Sequence, residues 1–205
     1  MKYLSLILIL VFISCENKKD ILLPKSNSSI VKDIQDHSPI YIFFETKGKD
    51  TIAEVNRKNS IISTNWILNI DKRLPLRLVI PEVMKLQQKK REEKAHKNEA
   101  AQNYYSYADT IGKNMAFIPF TDVYYKMAKP KSGTVVFFNK NNEIWVNGLA
   151  IKRAYFNVFF ENVKINSDTI RFAFDANMNY GTYIQNRILM ESLEKQSDSI
   201  EEFIY

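Results

Sequence analysis

"RFAFDANMNYGTYIQNRILME", residues 171–191, contains the pattern that decides the fold. An aromatic run ends at Asp175, a short polar turn follows, and apolar side chains then recur at helical spacing from Tyr180. This order predicts a strand over 168–175 and a helix over 180–195, with Asn179 as the N-cap. The segment is therefore a strand, an acidic turn and an amphipathic helix.

A similar segment occurs earlier, as "ILNIDKRLPLRLVIPEVMKLQ" at residues 67–87. When Asp71 is aligned with Asp175, the apolar positions Leu74, Leu76, Ile80, Met84 and Leu86 meet Met178, Tyr180, Ile184, Ile188 and Met190. A short strand follows each segment, "AFIPF" at 116–120 and "EFIY" at 202–205. Identities are few, and any strand, turn and helix would share some of this pattern. The alignment therefore leaves open whether the chain is an internal duplication.

The remaining patterns predict an α+β protein with mixed or antiparallel sheets, helices on one face, and two half-domains over 37–126 and 133–205. The first half has a predicted hairpin over 39–56, a strand over 65–71, a helix from near Pro81 to about residue 100, and a strand over 115–120. The second has a hairpin over 134–148, a helix over 152–164 and a last strand over 201–205. Between them, "KMAKPKSG" at 126–133 predicts the boundary.

The amino terminus indicates where the protein works. "MKYLSLILILVFISC" places Lys2, a short apolar run and Ser14 directly before Cys15, the single cysteine. This layout is typical of a secretory signal and resembles the lipobox of bacterial lipoproteins. The resemblance implies removal of residues 1–14, lipidation of Cys15, a tether over 15–36 and anchoring to a membrane of the cell envelope. The alternative is an ordinary signal peptide with an incidental cysteine.

Residues 133–205 resemble the periplasmic domain of the ExbD/TolR-type biopolymer transport proteins. "EIWVNGLAI" resembles the second strand of that domain, and "FDANMNYGTYIQNRILMESL" resembles its passage from strand to helix, at Asp175, Tyr180 and Ile184. The resemblance implies one sheet with both helices on one face. It also implies pairing with itself, with envelope proteins or with cell wall. The chain lacks the membrane-embedded Asp with which that family couples to proton flow.

Few residues suggest chemistry. His37 and His96 lie outside any metal-spaced cluster, and no phosphate-binding loop is present, so the sequence predicts neither a metal nor another cofactor. Asp71 and Asp175 are interpreted as caps of the turns that follow their strands. The alternative is an exported hydrolase of glycan or cell wall, in which two carboxylates converge.

Two groups of residues are candidates for partner contact. The first is the basic run 85–97, with Lys89, Lys90 and Arg91, which is either a solvated helix face or a contact with acidic lipid or cell-wall polymer. The second is "NYYSY" at 103–107, interpreted as loop or edge, whose Tyr104, Tyr105 and Tyr107 either recognise a partner or pack on the preceding helix. We therefore expect a non-catalytic envelope lipoprotein that binds a protein, a cell-wall polymer or a second copy of itself, and no nucleic acid.

Overall fold

Two six-stranded sheets, one centred on each half of the chain, form the fold. The computed structural model describes residues 19–94, 97–162, 170–194 and 200–205. The first sheet and its helix comprise β1 (Lys25–Ser26), β2 (His37–Lys47), β3 (Asp50–Asn56), β4 (Asn65–Ile70), α1 (Leu76–Glu92), β5 (Asn103–Asp109) and β6 (Asn114–Pro119). The second sheet and its helices comprise β7 (Val123–Lys126), β8 (Thr134–Phe138), β9 (Ile144–Val146), β10 (Leu149–Ile151), a 3₁₀ turn (Arg153–Tyr155), α2 (Phe156–Asn162), β11 (Ile170–Phe174), α3 (Tyr180–Glu194) and β12 (Ile200–Ile204). The α+β class and the two half-domains are confirmed.

The two halves share one topology. The strand order is β3-β2-β4-β5 in the first sheet and β9-β8-β11-β12 in the second, and in each the first pair is antiparallel and the others are parallel. The turns after β4 and β11 also match. Asp71 donates its N–H to the carbonyl of Ile42 at 3.0 Å, and Asp175 donates to the carbonyl of Phe138 at 2.9 Å. The alignment of Asp71 with Asp175 therefore describes a structural repeat.

The repeats meet at a junction that has approximate twofold symmetry. Leu76 N–H donates to the Met178 carbonyl at 2.9 Å, and Tyr180 N–H donates to the Leu74 carbonyl at 2.8 Å. The first backbone N–H groups of a helix have no partner within the helix. Here each repeat supplies carbonyl acceptors for the first turn of the other, and this exchange joins the two halves.

This exchange explains why α1 begins at Leu76 and not near Pro81, where the sequence predicted its start. Pro75 is the N-cap residue and offers no side-chain hydrogen bond, so the carbonyls of the second repeat replace a cap. Pro81 lies inside the helix. The helix ends at Glu92, and its polar end is not a solvent-exposed projection, since Gln87 and Lys90 are buried.

A single core spans both repeats. Tyr105 of β5 stacks on Phe120, with ring centroids 3.8 Å apart, and meets the edge of Tyr183 of α3 at 6.3 Å. In the second sheet, Phe138 contacts Phe156 of α2, and Phe174 contacts Tyr183 of α3. Because Phe138 and Phe174 are paired neighbours on one face, both helices lie on that face, as the sequence predicted.

The opposite face of the second sheet is crossed by the predicted boundary segment. β7 was assigned to the first half, but it pairs in parallel with β12, on the far side of the second sheet from β8. Residues 127–133 must therefore return across the sheet, and Lys129 lies 5.2 Å from the ring centroid of Tyr205 on that outer face. Trp145 and Phe137 remain half-buried beside this crossing.

The described part of the predicted tether, residues 19–36, is bound to the first sheet. Leu22 accepts a hydrogen bond from Lys72 N–H at 2.7 Å, and β1 pairs with the end of β5. Val31 exchanges two backbone hydrogen bonds with Phe117. Ile34 packs with Phe117 in a small outer cluster. This part of the chain is thus a structural element of the fold and not a free linker.

Candidate functional site

The tyrosines that the sequence proposed for partner contact are mostly core residues. Tyr105 and Tyr107 are fully buried, because 103–109 forms the interior strand β5 and not a loop or an edge. Tyr107 uses its hydroxyl to accept a hydrogen bond from Ile30 N–H at 2.9 Å. Tyr104 is half-buried against the small outer cluster. The tyrosines pack within the fold, but the described contacts of Tyr105 are with Phe120, Tyr125 and the later helix α3, and not with the preceding helix that the alternative named.

The three neighbouring cations of α1 have different surroundings. Lys89 is exposed, whereas Lys90 is only 7% exposed. The Lys90 ammonium donates to the carbonyls of Thr64 at 3.0 Å and Gln102 at 3.3 Å, and to the Asn103 side chain at 3.1 Å. Burial lowers the pKa of Lys90 to about 8. The prediction of Lys90 as a free surface contact is therefore wrong, since its ammonium binds the ends of two strands.

Arg91 is exposed and held in place from two sides. Its guanidinium donates one hydrogen bond to the Thr121 carbonyl at 2.9 Å and lies 4.3 Å from the ring centroid of Tyr124. A guanidinium carries five N–H donors. In the part of the chain that the structure describes, this is the one hydrogen bond that Arg91 makes. The remaining donors are available to a ligand.

These residues line a cavity of about 270 Å³ at the carboxyl end of α1, which we call the α1 cleft. Lys90 and Arg91 form its helix side, and Lys97, Glu99, Asp122 and Tyr124 line the rest, together with polar and small side chains. Lys97 and Glu99 form an ion pair at 2.8 Å. The α1 cleft thus brings two of the predicted contact residues, Lys90 and Arg91, to one opening with Tyr124 of β7.

A second cavity, of about 440 Å³, lies between the amino-terminal segment and α3. Two cations, Lys25 and Arg153, line it. Arg153 donates to the side chain of Asn142 at 3.0 Å and to the Gln185 carbonyl at 3.1 Å, and it also bonds Asn186. Most of its hydrogen-bonding capacity is therefore used to hold the 3₁₀ turn against α3.

A buried polar network connects the repeats, and the sequence did not predict it. The Tyr105 hydroxyl lies 2.7 Å from that of Tyr125, which lies 3.2 Å from that of Tyr183. Tyr183 donates to the Glu202 carboxylate at 2.7 Å, and Arg187 forms a buried ion pair with the same carboxylate. Burial raises the pKa of the three tyrosines well above 10, so they remain protonated donors.

One signal for this network was present in the helical period, because Arg187 falls on the buried stripe between Tyr183 and Met190. Tyr180 is also on that stripe. Among the described residues, its hydroxyl has no hydrogen-bond partner.

Both strand-ending aspartates cap turns, as predicted. Asp71 is fully buried, and its carboxylate accepts hydrogen bonds from the N–H groups of Arg73 and Leu22 and from the Arg73 guanidinium. Burial alone would raise the pKa of Asp71, but these hydrogen bonds outweigh it and hold the pKa below its usual value. Asp175 accepts from Asn177 N–H at 2.8 Å. Neither carboxylate lines the α1 cleft or the cavity between the amino-terminal segment and α3.

Cys15 and His96 lie outside the described residues. His37 is hydrogen-bonded through Nδ1 to the Ile34 carbonyl at 2.8 Å. Over the described ranges, no three His, Cys, Asp or Glu side chains are grouped as metal ligands, and no helix is long and apolar enough to cross a bilayer. Comparison with known proteins finds no matching family model, and no curated protein or solved structure that matches the chain.

Proposed function

We propose that this protein is a non-catalytic, lipid-anchored binding module of the bacterial cell envelope, and that the α1 cleft is where it contacts its partner. The observation that carries the proposal is the pairing of Arg91 with Tyr124 at the cleft. The guanidinium keeps donors available, and Tyr124 is 44% exposed beside it. Arginine and tyrosine are among the residues enriched at protein–protein contact sites.

The buried carboxylates of the interior already have hydrogen-bond partners within the protein, and this supports a binding role over a catalytic one. The Glu202 carboxylate is held by Tyr183 and Arg187, and the Asp71 carboxylate is held by Leu22 and Arg73. Groups that are fixed in this way stabilise the junction of the two repeats. The exposed cations of the α1 cleft do not stabilise the junction in this way.

The anchoring rests on the resemblance of "LVFISC", residues 10–15, to a lipobox. Two or more acyl chains on Cys15 would hold the protein on a membrane without a spanning helix. The finer proposal, that the module is an accessory of an ExbD/TolR-type transport system, rests on the resemblance of residues 133–205 alone. Self-association likewise stays a prediction.

Two measurements test the proposal. First, Cys15→Ser should move the protein out of the membrane fraction or leave it unprocessed, and a lipid analogue should label only the wild type. Equal labelling of both would contradict the anchor. Second, a photo-crosslinking side chain at position 124 should give a discrete partner adduct that Arg91→Glu removes.

The control for crosslinking is the same photoreactive side chain at Tyr155, which is 60% exposed in the second half. We expect no discrete adduct there. Equal adducts from both positions, or an adduct at 124 that survives Arg91→Glu, would show that the α1 cleft is not the contact site.

A second candidate function is hydrolysis of a glycan or of cell wall, because Glu99 and Asp122 both line the α1 cleft. Two carboxylates are the minimum for glycoside hydrolysis. Both are exposed, and Glu99 is ion-paired with Lys97. Release of soluble fragments from purified cell wall that Asp122→Asn abolishes would favour the hydrolase over the binding module.

A further inference from the structure

We propose that the α1 cleft binds an oxyanion, a carboxylate or a phosphate group carried by the partner, with Arg91 as the hydrogen-bond donor and Lys90 as a fixed positive charge beneath it. The inference rests on the proposed function, since it names the chemistry that the module would recognise.

The first step is the charge of Lys90. Its three N–H groups are directed at three neutral acceptors, Thr64, Gln102 and Asn103. Across the described ranges, no carboxylate is paired with it. The ammonium is therefore satisfied in hydrogen bonds but not neutralised in charge. A nearly buried cation of this kind projects a positive field into the cavity that it lines, because little solvent screens it.

The second step is the donor geometry of Arg91. Contact with the Tyr124 ring and the bond to the Thr121 carbonyl fix the plane of the guanidinium. A planar guanidinium matches carboxylate and phosphate oxygens in pairs. Since it is already oriented, less side-chain entropy is lost when an anion binds.

The third step is the charge balance of the lining. Three cations, Lys90, Arg91 and Lys97, face two anions, Glu99 and Asp122. The ion pair of Lys97 with Glu99 removes one of each, so Lys90 and Arg91 outweigh Asp122. Asp122 then disfavours large polyanions and leaves room for a single oxyanion group beside Arg91.

The position and the size of the α1 cleft also fit an oxyanion group carried by a larger partner. About 270 Å³ admits a terminal group of a larger molecule and not a folded segment. Arg91 is fifteen positions after Leu76, so the cleft lies about 22 Å along α1 from the junction of the repeats. The amino-terminal segment is bound at that junction end of the helix. The α1 cleft is thus at the far end of the helix from Leu22 and Lys72, where the described amino-terminal segment is bound.

The test is an NMR titration of the purified mature protein with sodium acetate and, separately, with sodium phosphate, at constant ionic strength held with sodium chloride. We expect saturable shifts of the Arg91 Nε–H signal and of the Thr121 and Tyr124 amides. Acetate alone would assign a carboxylate ligand, phosphate alone a phosphate ligand, and both would assign an oxyanion site without further selectivity. If neither acetate nor phosphate changes these chemical shifts, the proposal is overturned.

Two variants control for general attraction to charge. Arg91→Ala should weaken anion binding about tenfold, the effect of one charge-assisted hydrogen bond. Lys89→Ala removes the same charge from the exposed neighbouring residue and should weaken it less than about twofold, as expected for a screened surface charge. Equal losses in the two variants would show that the anion does not enter the cleft.

The two proposals fail separately. If neither anion binds while the adduct at position 124 still depends on Arg91, the partner contacts the cleft through other chemistry, and only the oxyanion inference is lost. If anions bind but no adduct forms and Cys15→Ser stays on the membrane, the proposed function is lost and the anion site stands.

Discussion

The first and second repeats share a backbone plan but stabilise it with different side chains. Matching the strand registers places Tyr105 of β5 and Glu202 of β12 at the same position, next to Leu68 and Phe172. The first repeat supplies a phenol there, and the second supplies a buried carboxylate with an arginine partner. One topology can therefore hold a neutral hydroxyl at a buried position of one copy and a charged pair at the matched position of the other, provided that every buried group finds a partner.

The buried cations of the two helices α1 and α3 differ in the same way. α1 of the first repeat buries Lys90 near its carboxyl end against carbonyl oxygens, whereas α3 of the second buries Arg187 at mid-helix against a carboxylate. The first arrangement leaves positive charge uncompensated at the surface of the α1 cleft. The second neutralises it inside the core. If the α1 cleft is the contact site that we propose, the charged pair of the second repeat stabilises the junction and the first repeat carries the site.

The largest effect should come from breaking the charged core of the second repeat. Glu202→Ala breaks the buried ion pair with Arg187, and breaking a buried ion pair typically costs about 3–5 kcal/mol of unfolding free energy. Denaturant unfolding measures it. At the matched position, Tyr105→Phe should cost only about 1 kcal/mol, the net value of one hydrogen bond. The half-buried neighbour Glu201, paired with Lys126 at the surface, is the control, and its replacement by Ala should cost less than about 1 kcal/mol.

A smaller effect should separate the two turn aspartates. Asp71→Asn should cost roughly 2–3 kcal/mol, because a fully buried carboxylate loses charge-assisted bonds to Arg73. Asp175→Asn keeps the acceptor for Asn177 and should cost under about 1 kcal/mol. The pKa of Asp71 is lower in the folded state than in the unfolded chain. Its contribution is therefore present above about pH 4 and is lost as the pH falls further.

Urea unfolding between pH 3 and 7 should show this loss in wild type and in Asp175→Asn, but not in Asp71→Asn. Equal pH profiles for the two variants would show that the aspartates contribute alike.

The junction itself is asymmetric at one pair of positions. A Cβ atom at Gly181 would lie 3.1 Å from Lys72 Cβ, whereas the matching residue of the first repeat, Arg77, is exposed. Gly181→Val should therefore destabilise by about 1–2 kcal/mol through overpacking. Arg77→Val loses one exposed side-chain hydrogen bond, from Arg77 Nε to Asn177 at 3.2 Å, and should cost less than about 1 kcal/mol. Thermal unfolding of the two variants checks this, and a neutral Gly181→Val would mean that the junction can open without cost.

The smallest effect, when it is taken over a single pH unit, should appear in the pH dependence of stability that Lys90 causes. Its pKa is about 8 in the folded protein, against 10.5 for an ordinary lysine, so the unfolded chain binds more protons between those values. Stability should therefore rise with pH across this range, by up to about 1.4 kcal/mol per pH unit. Lys90→Met should lack this rise, and Lys89→Met should retain it. Denaturant unfolding at pH 7.5, 8.5 and 9.5 compares them, and identical slopes would place the Lys90 charge in solvent.

Much of the fold could be predicted because its strands and helices have clear local patterns. The hairpin of β2 and β3, the strand β4 and the helix α3 follow from β-branched and aromatic runs or from helical period. β5 was missed because Asn103, Ser106 and Asp109 make it look polar. Their side chains are satisfied by distant partners, such as Lys90 for the Asn103 side-chain oxygen and Asn69 for the Ser106 hydroxyl.

The site was harder to predict for the same reason. A run of basic residues on a helix shows where charge is, but not which cation is buried. Lys90 differs from Lys89 only because strand ends from elsewhere in the chain cover it. The start of α1 was likewise set by Met178 and Ala176, about a hundred residues away, and not by a local cap. Long-range contacts of this kind leave no mark in a local sequence window.

The bound amino-terminal segment has a consequence for the reach of the protein. Once Leu22 is attached beside Asp71, only six residues lie between it and Cys15, and the seven chain steps span at most about 25 Å when fully extended. With lipid on Cys15, this linker would be shorter than the diameter of a folded domain of this length, which is about 40 Å. The module would then sample only a thin layer next to its membrane, with the end that carries Asp71 held toward the bilayer. A partner would have to come to that layer, because the protein could not extend to meet it.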